Sequence, residues 1–173
     1  MPRLSGGRIQ LRKFNLSDAP FILELLNSKG WIDHIGDRNV HSLKDAKTFI
    51  KESLLQHFTT HHFGLWAIEL KEDKSLVGMC GLLQREYLDV PDLGFALHED
   101  FYGKGYATEA AELSIKFAYN RLHLRKIKAI TNPENTKSQH LLKKIGFKRT
   151  INILIEDKLT YTFILDLEDE RHI

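Results

Sequence analysis

Apolar and polar residues alternate with the period of a β-strand in several short segments of the chain. Such alternation predicts strands with one buried face. Three segments stand alone, and two pairs flank short polar turns, as in hairpins. The lone segments are 9–14, 93–97 and 126–130, and the paired ones are 64–70 with 75–83 and 151–155 with 160–167. The pattern therefore predicts about seven strands.

Four other segments carry apolar residues at helical spacing. The first follows residues 17–18 and the second follows Ser42, and both positions supply side-chain oxygens that suit a helix N-cap. The third is 108–121, and the fourth, 135–145, ends at Gly146, which suits a left-handed C-terminal cap. These segments predict helices between the strands.

Residues 27–40 follow neither period, and we expect them to form a loop. Trp31 lies in this segment. Its ring could line a substrate entrance, or it could close over the core.

The predicted order is strand, two helices, three strands, helix, strand, helix and two strands. This order favours an α/β (α+β) fold in which helices pack on a mixed sheet. No repeat, low-complexity tract or linker divides the sequence. Residues 1–173 are therefore expected to form one domain.

Composition narrows the class of protein. Of the 173 residues, 42% are hydrophobic and 28% are charged, as in soluble globular proteins. No apolar run approaches the roughly 20 residues that cross a bilayer, and no charged-then-apolar leader is visible, so a cytoplasmic location is expected, without a membrane partner. The net charge of +2 argues against broad binding to nucleic acid.

The cysteine and histidine residues give little support to metal or thiol chemistry. The single Cys80 lies in an apolar stretch and is expected to be a buried structural thiol rather than a nucleophile. His57, His61 and His62 are close in sequence, but no carboxylate pair nearby completes a metal site. We expect these histidines in a solvated loop, and no metal.

A glycine-rich turn, residues 102–105, stands between the strand 93–97 and the helix that follows. The first N–H groups of a helix have no partner within the helix, so such a turn can bind a phosphate group. A plain strand-to-helix connection would have the same pattern. The turn is not a P-loop, because Lys104 is followed by Gly105, and the spacing of a dinucleotide fingerprint is absent.

Two sequence blocks resemble one enzyme family. Gly105-Tyr106-Ala107 fits the end of the Arg/Gln-x-x-Gly-x-Gly/Ala signature of the GNAT family of N-acetyltransferases. Residues 132–138 and 141–147 resemble the Asn-x-x-Ser-x-x-Leu-x-Lys-x-Gly-Phe segment of its RimJ/RimL branch, which acetylates ribosomal proteins. The resemblance extends over about 8–167. It implies a mixed, mostly antiparallel central sheet with helices on both faces.

The resemblance also implies acetyl-CoA as co-substrate and a set of residues that bind it. Backbone N–H groups of the glycine turn would hold the pyrophosphate, with Lys104 adding charge, and the strand before the turn would pair with the pantetheine arm. Asn135 would hold the arm by its side-chain amide. It could cap the next helix at the same time, or it could serve only as that cap. The implied cofactor-binding residues are Phe95, Ala96, Leu97, Tyr102, Gly103, Lys104, Gly105, Tyr106, Ala107, Thr108, Asn135 and Ser138.

The catalytic residues are less clearly marked. A tyrosine that many GNAT enzymes use as acid corresponds to Leu142 here, and Ser138 is the remaining hydroxyl, which could instead serve only as a local cap. Tyr102 also replaces the usual Arg or Gln of the signature. An α-amine, with a pKa near 7.7–8.0, needs only a weak base. The candidate bases are Glu86, Asp92, His98 and Glu99. We predict that Glu86 and Asp92 are catalytic, together with Ser138.

The resemblance predicts direct attack of a primary amine on acetyl-CoA in a ternary complex. The branch favours the α-amine of a protein N-terminus as acceptor. A polyamine, an amino sugar or an antibiotic is an alternative acceptor, and a non-catalytic module that binds acyl-CoA is a different class of answer. For a small enzyme, a twofold homodimer is the ordinary expectation.

Overall fold

One eight-stranded sheet forms the centre of the computed structural model, which describes residues 3–168. The strands lie in the order β1-β2-β3-β4-β5-β6-β8-β7. They are β1 (Leu4–Ser5), β2 (Ile9–Arg12), β3 (Leu65–Leu70), β4 (Leu76–Leu83), β5 (Asp92–Leu97), β6 (Lys126–Thr131), β7 (Lys148–Ile155) and β8 (Lys158–Asp166). All pairs are antiparallel except β5 with β6.

The helices lie between these strands. They are α1 (Ala19–Leu26), α2 (Lys29–His34), α3 (Leu43–Phe49), α4 (Gln56–His61), α5 (Tyr106–Asn120) and α6 (Thr136–Lys144). A π-helical segment, Ile50–Leu55, joins α3 directly to α4.

Two hydrophobic cores lie on opposite faces of the sheet. One contains Ile115 of α5 and Leu142 of α6, and the other contains Ile22 of α1 and Ile50 after α3. Both draw residues from the central strands, such as Trp66 for the first core and Ala67 for the second. The predicted mixed sheet with helices on both faces is therefore confirmed.

The predicted strands are all present, and β1 is an additional strand of two residues. The prediction for residues 27–40 was wrong in part, because α2 forms there. Trp31 is buried in the second core, so its ring closes over that core. Asp18 is the N-cap residue of α1, but its carboxylate makes no cap hydrogen bond to that helix; it accepts hydrogen bonds from Arg12 at 2.9 and 3.0 Å and from the Asn15 N–H at 2.8 Å.

The histidines differ from the expectation as well. His57 and His61 lie on α4 rather than in a loop, with their ring centroids 4.5 Å apart. Burial lowers the pKa of His57, and its Nε2 accepts a hydrogen bond from the Gln84 N–H at 3.2 Å. Within residues 3–168 there is no group of His, Cys, Asp and Glu side chains suited to a metal ion.

Arg12 is the centre of a largely buried charge network beside the second core. Its Nε donates to Glu69 Oε2 at 2.6 Å, and Gln10 also donates to Glu69. Hydrogen bonds with Asp18 raise the pKa of Arg12. The network joins β2, β3 and the start of α1. Each buried charge in it has a partner, which offsets the cost of removing that charge from water.

Cys80 is fully buried on β4, as predicted. Burial raises the pKa of its thiol to about 12, so the thiolate is not populated near neutral pH. Along the described chain, no helix has both the length and the apolar character needed to span a bilayer.

Candidate active site

The two parallel strands at the centre of the sheet separate along most of their length. β5 and β6 share one register pair, Asp92 with Lys128, and the Lys128 N–H donates to the Pro91 carbonyl at 3.0 Å. From that point the strands diverge toward their carboxyl ends. A cleft therefore opens between β5 and β6, and helices α5 and α6 begin near its wide end.

The open edge of β5 faces this cleft. Backbone groups alternate in direction along a strand, and the His98 N–H bonds Val77 beside β4 at 2.9 Å. By that alternation Ala96 also turns its backbone groups toward β4, whereas Phe95 and Leu97 turn theirs toward the cleft. Of the three predicted arm-binding residues, Phe95 and Leu97 thus have the suitable backbone orientation.

The glycine turn lies at the wide end of the cleft. Gly103 and Gly105 have φ of 74° and 83°, in the left-handed region that favours glycine, and Gly105 is the N-cap of α5. Among residues 3–168, the backbone N–H groups from Gly103 to Thr108 have no hydrogen-bond acceptor. They form a concave set of donors at the positive end of a long helix, which is an arrangement that binds phosphate.

Arg8 fixes this turn from the distant N-terminal part of the chain. Its Nη1 donates to the Lys104 carbonyl at 2.7 Å, and its Nε donates to Glu109 Oε2 at 3.0 Å. Its guanidinium also lies 4.8 Å from the Tyr106 ring centroid. Burial opposes the ionisation of Glu109, but hydrogen bonds from Arg8 outweigh it and lower the pKa of this carboxyl. Sequence reasoning missed Arg8, because only the fold brings it to the turn.

The start of α6 provides the other half of the site. The Asn135 side chain accepts a hydrogen bond from the Ser138 N–H at 3.1 Å, so Asn135 does cap the helix. Within the described residues its amide NH₂ has no acceptor and remains available as a donor. Lys137 Nζ lies 4.6 Å from the Tyr102 ring centroid. The two predicted sequence blocks therefore meet across the cleft, and Lys137 is a basic residue that the sequence did not single out.

Tyr102 also contacts α2. A Cβ on Gly30 would overlap the Tyr102 hydroxyl, and the Gly30 N–H donates to Glu99 Oε1 at 2.8 Å. Burial raises the pKa of Tyr102, and the nearby Glu99 adds to this shift. The Tyr102 side chain thus lies between α2 and Lys137 and packs the glycine turn against α2.

The candidate bases lie at two ends of β5. Asp92 is 1% exposed at the closed end, where Arg85 Nε donates to its two oxygens at 3.0 and 3.1 Å. Burial raises the pKa of Asp92 to about 6, although Arg85 opposes the shift. Glu86 is exposed in the loop between β4 and β5, on the same side.

His98 and Glu99 follow β5 at the wide end. The Asp100 N–H donates to His98 Nδ1 at 3.3 Å, and His98 Nε2 lies 3.2 Å from Glu24 Oε1. His98 Nδ1 is thus occupied as a hydrogen-bond acceptor, and Nε2 lies beside a carboxylate. Leu142 has no hydroxyl and is fully buried, so it cannot act as the acid. Ser138 is half-buried in the first turn of α6.

Comparison with known proteins adds a family match. The family model described as acetyltransferase (GNAT) domain matches residues 8–148. An uncharacterized N-acetyltransferase of Bacillus licheniformis, p20, is 27% identical over 153 residues, which cover 86% of this chain and 84% of that protein. The spermidine N(1)-acetyltransferase of Escherichia coli (strain K12) is 33% identical over 67 residues, which cover 39% of this chain and 33% of that protein.

The fold also matches solved structures. RimL, a ribosomal L7/L12 alpha-N-protein acetyltransferase in complex with coenzyme A, has a TM-score of 0.82 with this chain at 15% identity. The match covers 95% of this chain and 98% of that one. At this identity the similarity shows a shared fold.

Proposed function

The chain belongs to the GNAT family of acetyltransferases, and from this premise we propose that it transfers an acetyl group from acetyl-CoA to the α-amine of a protein N-terminus. The family assignment makes it an N-acetyltransferase. The proposal concerns the acceptor, the residues that act, and the extent of the catalytic domain, 1–173 with its core at about 8–167. The observation that supports acetyl-CoA as the donor is the run of N–H groups from Gly103 to Thr108, which have no acceptor among the described residues, at the mouth of the β5–β6 cleft. The choice of acceptor rests on the resemblance of residues 132–147 to the RimJ/RimL branch.

The pyrophosphate of acetyl-CoA fits this run of donors. Anionic oxygens accept strong hydrogen bonds from backbone N–H groups, and the dipole of α5 adds to the attraction. The ammonium groups of Lys104 and Lys137 supply positive charge on the two sides of the cleft. Tyr102, in place of an arginine or glutamine, packs the turn and holds Lys137 near it.

The pantetheine arm would then lie along β5 as an added strand. The backbone groups of Phe95 and Leu97 face the cleft and can pair with the two amides of the arm. The Asn135 NH₂ can donate to the arm from the other side. An N–H of the same β5 edge would stabilise the oxyanion that forms when the thioester carbonyl is attacked.

Transfer proceeds by direct attack of a neutral amine. The nitrogen forms a bond to the carbonyl carbon, the carbon–sulfur bond breaks, and coenzyme A leaves as a thiolate. Ser138 would donate a hydrogen bond to that sulfur from the first turn of α6. Since the Cys80 thiol is buried and protonated, it cannot carry the acetyl group as an intermediate.

An α-amine suits a site without a strong exposed base. With a pKa near 7.7–8.0, about a tenth of an α-amine is neutral at pH 7, against roughly one in 10³ for a lysine side chain. Asp92, with its pKa of about 6, could accept the released proton through water, but Arg85 holds both of its oxygens. Asp92 and Glu86 therefore stay predictions as proton acceptors.

A polyamine is the second candidate acceptor. Its support is the similarity of this chain to a spermidine N(1)-acetyltransferase over part of its length. Exposed acidic side chains near the end of β5, Glu24, Glu99 and Asp100, would attract a polycation. The resemblance of residues 132–138 and 141–147 to the RimJ/RimL branch supports the first candidate.

A titration followed by a turnover assay separates these possibilities. Acetyl-CoA binding is measured by calorimetry, and thiol release is then followed with an N-terminal peptide, with the same peptide blocked at its α-amine but carrying a lysine, and with spermidine. We expect saturable binding and release with the free α-amine peptide. Preferred release with spermidine would replace the proposed acceptor, and binding without release for any amine would indicate a sensing module.

The role of Ser138 has its own test. Ser138→Ala should lower kcat by about a hundredfold and leave the Kd of acetyl-CoA unchanged, because the hydroxyl acts on the leaving sulfur. Ser53→Ala, on an exposed helical surface, is the control and should have no effect. An unchanged kcat for Ser138→Ala would remove this residue from the mechanism. Asp92→Asn and Glu86→Gln, assayed in parallel across pH, test the two predicted proton acceptors.

A further inference from the structure

The two edges of the sheet are protected very differently. At one edge the sheet ends in β1, which has two residues. At the other it ends in β7, which has eight and which pairs regularly with β8 from Asn152 to Ile155, after a β-bulge between Arg149 and Asn152. A long edge strand exposes unpaired N–H and C=O groups and invites pairing with another chain. The β7 edge is therefore the end of the sheet where pairing with a partner is expected.

Apolar side chains make this edge unusual. Ile151 is 72% exposed and Leu154 is 70% exposed, and Leu159 lies opposite Leu154 on β8 and is also exposed. The run from Ile151 to Ile155 contains no charged residue. Uncharged apolar edge strands of this kind associate readily unless another surface covers them.

Alternate residues of β7 direct their backbone N–H and C=O groups away from β8. The β7–β8 turn has two central residues, Glu156 and Asp157, with φ of 50° and 62°, and it closes on the register pair Ile155–Lys158. Because bonded and non-bonded pairs alternate along a hairpin, Asn152 and Leu154 turn their backbone groups away from β8. In the described part of the chain these groups have no other strand beside them.

The charges at the two ends of β7 are complementary. Lys148 and Arg149 begin the strand, and Glu156 and Asp157 follow its end. In an antiparallel pairing of two copies about a twofold axis, the start of each strand lies beside the end of the other. The basic end of each copy would then meet the acidic turn of its partner, and the apolar runs would meet between them.

We propose that two copies of this chain associate through β7, antiparallel, with the twofold axis near Asn152 and Ile153. The pairing joins the two sheets into one continuous sheet and covers Ile151 and Leu154. A parallel pairing would instead place the basic ends together and the acidic turns together. The β5–β6 cleft lies two strands away from β7, so it stays open in the dimer.

Charge reversal at either end of β7 tests the pairing. The first variant is Lys148→Glu with Arg149→Glu, and the second is Glu156→Lys with Asp157→Asn, in which asparagine keeps the preference for positive φ. Each variant alone places like charges together in the antiparallel pair. In an equal mixture, however, the ends of one variant are opposite in sign to those of the other.

The measurement is the mass in solution by light scattering, at about 50 µM chain and low salt. The unchanged protein should have twice the chain mass of 20.1 kDa. Each variant alone should have the mass of one chain, and the mixture should recover the mass of two. Lys143→Glu with Lys144→Glu, on the exposed end of α6, is the matched control and should remain a dimer.

A second variant keeps the test independent of the charged residues, because Arg149 also contacts the Tyr161 ring at 3.4 Å. Leu154→Lys removes no buried contact, because Leu154 is 70% exposed, and it should give the mass of one folded chain, checked by circular dichroism. A single-chain mass for the unchanged protein would overturn the proposal. So would a dimer that survives these changes, or a mixture of the charge-reversed variants that stays monomeric.

Discussion

Replacing Gly105 by glutamate should abolish most of the affinity for acetyl-CoA. The substitution places a carboxylate among the unpaired N–H groups from Gly103 to Thr108, where the pyrophosphate is proposed to bind. Gly36→Glu is the matched control. Gly36 also has a positive φ, of 106°, and a Cβ there would meet no atom within 4 Å. Both variants carry the same new charge and the same kind of backbone strain, but a Cβ at position 105 would also lie 3.1 Å from Arg8 Nη2, whereas position 36 has no such neighbour.

The size of the effect follows from Coulomb's law. A pyrophosphate carries about two negative charges, and a carboxylate about 5 Å away repels each of them by about 0.8 kcal/mol at the dielectric constant of water. The sum of about 1.7 kcal/mol weakens binding roughly twentyfold. At an effective dielectric constant of about 20 the repulsion is about four times larger. The left-handed strain, about 1–2 kcal/mol, lowers the stability of both variants but acts on affinity in neither.

Calorimetric titration with coenzyme A measures this difference directly. We expect at least a twentyfold rise in Kd for Gly105→Glu, which should shrink as salt increases, and an unchanged Kd for Gly36→Glu. Thermal melts should show a loss of stability for both variants, with the larger loss for Gly105→Glu, because its side chain also crowds Arg8. Equal affinities for the unchanged protein and Gly105→Glu would mean that the glycine turn does not bind the pyrophosphate.

Three further predictions concern charge. Arg12→Met should lower the free energy of unfolding by about 3–5 kcal/mol, because Arg12 is 14% exposed and its loss leaves buried carboxylates unpaired, whereas Arg125→Met, at an 81% exposed position, should change it by less than about 1 kcal/mol in urea titrations. Lys137→Ala should weaken coenzyme A binding several-fold and reduce its salt dependence, because one cation near the phosphate site is lost; an unchanged salt slope would contradict this. The pKa of Asp92 is about 6 in the folded protein against an ordinary 3.8, so its stabilising contribution is full below about pH 4 and is lost as pH rises through 6. The difference in unfolding free energy between the unchanged protein and Asp92→Asn should therefore fall by about 2 kcal/mol from pH 4 to pH 7, and a pH-independent difference would refute it.

The sequence predicted those elements that have a strong local pattern. Alternation located every strand except β1, whose two residues are too few to show a period. Helix α2 was missed because Gly30 and the mixed polarity around it give no helical stripe. Contacts distant in sequence support it instead, including the hydrogen bond from the Gly30 N–H to Glu99. Local patterns cannot report such contacts.

The candidate site divides in the same way. The glycine turn and the start of α6 were predicted because each is a short continuous motif. Arg8 was not, since its partners Lys104 and Glu109 are about a hundred residues away. Neither was Lys137, whose position over Tyr102 depends on how α6 packs against the glycine turn. The opening between β5 and β6 depends on strand register, which only the folded chain shows.

That opening leaves the sheet as two halves, β1–β5 and β6–β8, joined through one register pair. The two halves share the hydrophobic core beside α5, but few backbone hydrogen bonds bridge them when the cleft is empty. In the proposed binding mode, the pantetheine arm would pair with Phe95 and Leu97 and bridge the two halves of the sheet. The hydrogen bonding of the sheet would then be continuous while acetyl-CoA is bound and interrupted after coenzyme A departs. The amide protons of Phe95 and Leu97 would exchange fast in the empty protein and slowly in the filled one.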